Sequence, residues 1–409
     1  MDTRPLRIPV YRRLWSSTIA TAVGSQLTAV AVPLQVFSLT QSSAYVGLSG
    51  AFALVPLVVF GMWGGAIADA TDRRRLMLLT NGGIAVATLA LWAQAFAGVG
   101  SVWLVFLLLM VQQACFGMNS PARSASVPRL VPPEELPAAN ALNSTVMQLG
   151  QIVGPLAAGA LIPVLGLSTM YMIDSLGLCV TLWAVWRLPA LPPLGSAPSR
   201  AGLRDVLAGL RYLAGRSVLL VSFLADIIAM VFGMPRALFP ELAERTFGDP
   251  VGGGFALGVL YAAIPIGAVL AGLFSGLFSR TDRHGVAVLL AVCGWGLAIV
   301  GFGMAHWLPL AAVFLAMAGA GDMVSMVMRS SILQAAATDE MRGRMQGVFT
   351  VVVAGGPRLA DLLHGTVGAA VGATAAVSGG GVLVVALTVL AACVFPAFWR
   401  YRASAPVAG

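Results

Sequence analysis

The stretch LPALPPLGSAPSRAGLRDVLAGLRYLAGR (188–216) is the longest polar interruption in the chain, and what flanks it decides the fold. It opens on Pro189, Pro192, Pro193 and Pro198, which read as an extended linker because proline fixes φ and donates no backbone N–H. It continues with Leu203, Val206, Leu207, Leu210 and Leu213 on one helical face and Arg200, Arg204 and Arg211 on the other. That pattern predicts an amphipathic helix lying in the inner headgroup layer. On both sides the sequence is a succession of apolar runs, each near the roughly 20 residues that span a bilayer at about 1.5 Å of rise per residue. Twelve such helices fit, near 14–38, 45–68, 76–97, 101–121, 139–162, 168–187, 217–240, 255–278, 286–305, 308–328, 344–367 and 372–399. The expected organisation is a six-helix bundle over 1–187, a cytoplasmic linker over 188–216 and a second six-helix bundle over 217–409.

Composition makes lipid the solvent for most of the chain. Of 409 residues 58% are hydrophobic and 10% charged, more apolar surface than a soluble domain can bury. A β-barrel is excluded, since its strands alternate polar and apolar residues. A net charge of +8 in a soluble protein would suggest nucleic acid, but here its distribution belongs to the membrane. Of the 24 arginines, 21 occupy the two termini and the connections after helices 2, 4, 6, 8 and 10. The complementary connections are short and uncharged, as at Gln41-Ser42-Ser43 and Gly98-Val99-Gly100, or acidic, as at Glu241, Glu244 and Asp249. By the positive-inside rule both termini of this multi-pass protein face the cytoplasm, and no nucleic-acid partner is expected. The apolar run after Arg13 is long enough to span and lacks a small-residue cleavage site, so no cleavable signal is expected. Cys115, Cys179, Cys293 and Cys393 lie within predicted helices at wide spacing, which suits neither a metal site nor a disulfide framework and reads as small core residues.

A duplicated architecture leaves self-similarity at half the chain length. Arg123-Ser124 and Glu134 recur as Arg329-Ser330 and Glu340, each 206 residues on. Asp72-Arg73 recurs as Asp282-Arg283 at 210 residues, and Gly65 as Gly276 at 211. Both copies of the first echo follow an even-numbered helix and precede an odd one, and all the echoes fall at corresponding points of the two halves.

Gly65-Ala66-Ile67-Ala68-Asp69 followed by Asp72-Arg73-Arg74-Arg75 resembles the loop between helices 2 and 3 of the major facilitator superfamily, a glycine, three residues, an aspartate and then a basic cluster. Ala70 stands where that pattern has arginine, Asp72 where glycine is common, and Arg280 takes the acidic position in the second copy. The resemblance implies a cytoplasmic gate at Gly65, Asp69, Arg73 and Arg74, with Asp69 and Arg73 as a charge-pairing latch between the inner ends of helices 2 and 11; the alternative is a positive-inside anchor alone. Helix 5 carries Gly150, Gly154, Pro155 and Gly159, similar to the motif of the superfamily's antiporters. Glycines at that spacing clear one helix face for close approach, which generic packing also requires. The segment from Asn119-Ser120-Pro121-Ala122-Arg123 through Ala139-Asn140-Ala141-Leu142 resembles the enterobactin-exporter-like branch, to which multidrug pumps of the tetracycline-efflux type also belong.

Ionisable residues inside spans cost at least about 2.5 kcal/mol at the bilayer centre unless they face protein or water, so they point to function. Asp226 lies nine residues into helix 7, on the order of 14 Å deep. Asp322 lies toward the inner half of helix 10, and Arg358, Asp361 and His364 toward the outer half of helix 11. Asp174, within two turns of the outer end of helix 6, reads as interfacial. Asp226, Asp322, Arg358 and Asp361 are the proton-coupling candidates, with Asp226 leading, because a carboxylate occluded in one state and hydrated in another changes its proton affinity. The structural alternative is a fixed ion pair of Asp226 or Asp361 with Arg358. In the first half Gln26, Gln112, Gln113, Gln148 and Gln151 are polar groups that either line a cavity or join helices. Trp63, Phe116, Met118, Met147, Phe232 and Met234 would suit an adaptable apolar cavity, the alternative for most of them being a lipid-facing or core position.

No phosphate-binding loop ending in Lys-Ser/Thr and no Gly-x-Ser-x-Gly elbow occurs, so neither ATP drive nor soluble-type enzymology is expected, and no cofactor or metal is implied. The resemblance implies an all-α polytopic membrane protein with the major facilitator fold, two pseudo-symmetric six-helix bundles around a central cavity. It would work as a monomer by alternating access, exchanging protons for a small amphipathic cargo such as a siderophore, secondary metabolite or drug. Uptake or lipid flipping by the same fold, and a non-transporting membrane receptor, are the rival readings.

Overall fold

The computed structural model describes residues 2–193, 211, 213, 215–278, 281–336 and 339–401. Its principal elements are α1 (Pro9–Thr40), α2 (Ser43–Ala70), α3 (Arg73–Phe96), α4 (Val102–Ser126), α5 (Leu136–Leu165), α6 (Leu167–Trp186), α7 (Ser217–Gly233), α8 (Phe255–Leu273), α9 (His284–Met304), α10 (Leu308–Ala336), α11 (Asp339–Val371) and α12 (Ala373–Val394), with no strand among the described residues. Eleven helical spans among these residues are long and apolar enough to cross a membrane. The remaining predicted span, 344–367, lies within α11.

Local chemistry sets the helix ends. Pro9 opens α1, where its missing N–H would have had no intrahelical partner. Asp72 caps α3 by accepting from the Arg74 N–H at 2.9 Å, and Ser101 caps α4 by accepting from the Leu104 N–H at 3.4 Å. A single glycine, Gly166 at φ 78°, turns the chain from α5 into α6, and Gly372 at φ 93° does the same between α11 and α12. Both conformations are ones that a side chain disfavours. The two glycines are 206 residues apart, the repeat distance read from the arginines.

Three expected helices are shorter than hydropathy suggests. Hydropathy carries helix 7 to 240, but α7 stops at Gly233, Met234 adopts φ −121°, and a 3-10 turn (Arg236–Leu238) leads into a short helix, Phe239–Arg245. Pro235 has no N–H and forces the residue before it out of the helical region, which hydropathy cannot register. Pro396 likewise ends the twelfth span, α12 stopping at Val394 before a separate turn over Pro396–Trp399. The eighth span divides into α8 and a short helix over Ser275–Phe278. In contrast α1, α10 and α11 run past their expected ends, because a helix continues through polar flanks that hydropathy excludes. The amphipathic helix expected over 203–213 lies outside the described residues, Arg211 and Leu213 excepted.

The chain divides into two compact units. One comprises Met1–Gln41, Ser49–Ala201 and Gly248–Ala262; the other comprises Ser42–Leu48, Gly202–Phe247 and Ala263–Gly409. Within the first, α1 packs on α5 and α6, and α3 on α4 and α6; within the second, α7 packs on α11 and α12, and α9 on α10 and α12. Advancing each label of the first set by six gives the second. Small residues make these contacts close, since lipid tails are as apolar as leucine and helices associate by packing rather than by hydrophobic exclusion. A Cβ on Gly177 of α6 would lie 3.1 Å from the Ala20 carbonyl of α1, and one on Gly296 of α9 would lie 2.9 Å from the Gly381 carbonyl of α12.

The same equivalence of lipid and core corrects the reading of the cysteines as core residues. Cys179 and Cys393 are exposed, and Cys115 and Cys293 half-buried. Trp63, Phe116 and Met147 are exposed as well, whereas Met234 is buried.

Candidate coupling and gating sites

Asp226 of α7 and Arg329 of α10 form a buried ion pair, with side chains 1% and 5% exposed. The Arg329 Nε–H donates to Ser325 Oγ at 3.0 Å, and its Nη2 lies 3.9 Å from Asp322. One cation therefore stands between two carboxylates on two helices. A small pocket lined by Ser222, Phe223, Asp226 and Arg329 opens beside the pair. Two of the four coupling candidates are thus brought together, through an arginine noted in the sequence only as the repeat partner of Arg123. That repeat position was the available signal. Arg358 does not take the fixed-pair role with Asp226; it lies 3.9 Å from Asp361, one turn along α11, at a partly exposed position. His364, on the same helix, is 2% exposed and hydrogen-bonded to the Phe232 carbonyl at 3.0 Å.

In the first unit Arg123 reaches Thr18 of α1, the position 208 residues before Asp226. Among the described residues no carboxylate lies within ion-pair distance of Arg123, so the two repeats share a reach from the fourth helix to the first but differ in charge.

The motif after α2 builds a local network. Asp69 and Arg73 pair at 3.4 Å, with the aspartate 41% exposed, and Arg73 donates to the Ala125 carbonyl at 2.9 Å. Arg74 donates to the Trp186 carbonyl at 2.6 Å, and Asp72 accepts from the Leu191 N–H at 3.2 Å as well as capping α3. These residues tie the α2–α3 turn to the ends of α4 and α6. Gly65 has no heavy atom within 4 Å of a would-be Cβ, whereas one on Gly64 would lie 2.7 Å from the Met118 Cα.

The helix 5 glycines are contact points. A Cβ on Gly150 would lie 2.9 Å from the Ala22 carbonyl, one on Gly154 would collide with Gln26 Cβ, and one on Gly159 would lie 2.8 Å from the Cα of Gly258, which belongs to the same unit. Pro155 is buried beside them. Gln112 is buried and donates to Thr88 Oγ1 at 3.0 Å, joining α4 to α3, while Gln26, Gln113, Gln148 and Gln151 are half-buried.

The most extensive amide network falls on residues that sequence reading passed over. Gln35 and Gln94 bond reciprocally at 3.1 and 3.0 Å, and the Tyr171 hydroxyl donates to Gln35 Oε1 at 2.8 Å, so α1, α3 and α6 share one polar knot. Asn119 Oδ1 accepts from Thr80 at 3.1 Å and Asn81 at 3.2 Å. Asp174 of α6 is 2% exposed and accepts from Thr28 of α1 at 2.6 Å, which replaces the interfacial reading with burial. Among the described residues no three His, Cys, Asp or Glu side chains cluster as metal ligands would.

Membrane-spanning helices paired alike in two repeats, with charged groups buried among them, define a polytopic transporter. The chain belongs to the transmembrane secretion effector family of the major facilitator superfamily, whose model matches residues 2–405. It is 31% identical over 399 residues to the enterobactin exporter EntS of Shigella boydii serotype 18, covering 97% of this chain and 94% of that one. The EntS of Escherichia coli (strain SE11) matches to the same extent. Among solved structures, a bacterial homolog of the human lysosomal transporter Spinster aligns with a TM-score of 0.69 at 16% identity, covering 97% of each chain. The nucleoside transporter NupG aligns at 0.73 and 14%, covering 96% of this chain and 100% of that one. At such identities these neighbours share the fold.

Proposed function

We propose that this transporter exports a small amphipathic molecule, of the siderophore class or a chemically similar secondary metabolite or drug, in exchange for protons. The observation that carries the reading is Arg329 held between Asp226 and Asp322 in a buried setting. A proton on Asp226 would cancel the charge that holds Arg329 and release the guanidinium toward Asp322; loss of the proton restores the pair. Two protonation states then favour two arrangements of α7 against α10, which is the differential interaction a coupled conformational change requires. The cargo class is supported by the exporters to which the chain is 31% identical.

Alternating access by two six-helix halves, 1–187 and 217–409, joined by the linker 188–216, fits the repeated helix pairing. The arginine distribution supports termini on the cytoplasmic side of a bacterial inner membrane. The pairing of Asp69 with Arg73 would then sit at the cytoplasmic ends of the helices, where a gate latch is needed.

The test uses inside-out vesicles loaded at acidic pH and diluted into alkaline buffer with enterobactin outside. Accumulation that collapses with a protonophore supports the reading. Accumulation only with the opposite gradient would move the assignment to uptake, and none under either gradient would remove proton exchange of this cargo.

A further inference from the structure

We infer that Asp174 is a second proton-binding site, placed in the first unit at the crossing of α6 and α1. This rests on the proton-exchange reading above. Its side chain is 2% exposed, and Oδ2 accepts the Thr28 hydroxyl at 2.6 Å. Oδ1 is buried and has no hydrogen-bond partner. Oδ1 fits because Gly24 of α1 puts no side chain against it: a Cβ there would lie 2.6 Å from Oδ1.

Among the described residues no charge balances it. The helices packed on α6 are α1, α3 and α5. α5 has no ionisable residue; those of α3 are Arg73–Arg75 and those of α1 are Tyr11, Arg12 and Arg13, all in the opening turns of their helices, far along from Gly24 and Thr28. On α6 itself Tyr171 lies one turn away with its hydroxyl engaged by Gln35, and Cys179 is exposed. An isolated buried carboxylate is costly, and neutralisation by a proton is the ordinary remedy. Three oxygens, two from one carboxylate and one from a hydroxyl, make too few ligands for a metal cation. The step is simple: an O–H bond forms on the free oxygen when the site takes up a proton, and breaks when the proton leaves for water on the other side.

The repeat supports the placement. Gly24 corresponds to Phe232, 208 residues on, and Asp174 to Gly380, 206 residues on. At that second crossing the space beside Gly380 is taken by the imidazole of His364, 2.7 Å from a would-be Cβ. Each repeat thus places one buried titratable group where its first and last helices cross, distinct from the Asp226–Arg329 pair.

Infrared spectroscopy of the whole protein in lipid, titrated from acid to alkaline pH, reads the site without transport. The expected result is a protonated-carboxyl carbonyl band that disappears on alkalinisation, loses one component in Asp174→Asn, and shifts in frequency in Thr28→Val as the hydroxyl's hydrogen bond is lost. Thr28→Val keeps the test available if Asp174→Asn does not fold. An Asp174→Asn spectrum identical to wild type, or a component present at every pH, would overturn the proposal. In the inside-out vesicles, the slope of log enterobactin accumulation against the imposed pH difference should fall by one in Asp174→Asn; an unchanged slope would also overturn it. Failure of wild-type vesicles to accumulate enterobactin would strike the proposed function and leave the infrared result to decide Asp174.

Discussion

Arg329 of α10 is buried against Asp226 of α7, and 206 residues earlier Arg123 of α4 makes the same reach to Thr18 of α1. One repeat therefore holds a charge pair where the other holds an arginine and a hydroxyl. Within the second, Asp322 at 3.9 Å offers Arg329 an alternative partner.

Breaking this pair should affect stability as well as transport. Asp226→Asn leaves a guanidinium 5% exposed with its nearest remaining carboxylate 3.9 Å away, a loss of about 3 kcal/mol by analogy with buried pairs stripped of one partner. Asp226→Asn combined with Arg329→Gln should recover much of that stability and none of the proton-driven accumulation. Thermal unfolding of the purified single and double variants, read beside vesicle transport, checks both; a double variant no more stable than Asp226→Asn would show that the pair is not the source of the loss.

The helix 5 and helix 2 glycines should behave oppositely. Gly154→Ala drives a methyl into Gln26 Cβ and should destabilise by about 1–3 kcal/mol. Gly65→Ala meets nothing within 4 Å and should be neutral or stabilising by up to about 1 kcal/mol. Melting temperatures in detergent measure the contrast. Lost transport in a stable Gly65→Ala protein would assign that glycine to gate movement.

The amide knot gives a sign prediction. Gln35→Leu strands Gln94 Oε1 and the Tyr171 hydroxyl, while Gln94 Nε2 keeps the Leu91 carbonyl, and should cost about 1–3 kcal/mol. Replacing Gln35 and Gln94 together by leucine should cost less than the sum of the two single changes. Additive costs in a double-mutant cycle would mean that the reciprocal bonds contribute nothing.

Asp72 both caps α3 and receives the Leu191 N–H after α6. Asp72→Ala should lower stability by about 0.5–2 kcal/mol, while Asp72→Asn, which keeps the accepting oxygen, should retain most of it. Equal losses in the two variants would assign the effect to charge at the helix start instead.

A topology test follows from the arginines. A fluorescent protein fused after Tyr401 should fluoresce in the cytoplasm, and alkaline phosphatase inserted at Gly98-Val99-Gly100 should be active outside. Reversed signals would invert the orientation.

What the sequence determined by itself was the solvent, the succession of apolar helices and the duplication. Runs of apolar residues of bilayer length can satisfy their backbone in lipid only as helices, so local composition was enough. The 206-residue spacing of Arg123 and Arg329 is by itself a sign of the repeat. The tertiary structure alone decided that Arg329 meets Asp226, that Asp174 is sealed behind Gly24, that Gln112 is engaged by Thr88, and that Cys179 and Cys393 face outward. The reason is physical: in a membrane the lipid-facing side of a helix and its packed side are equally apolar, so hydropathy finds each helix without saying which neighbour it touches, and polar pairs form only where packing brings two helices together.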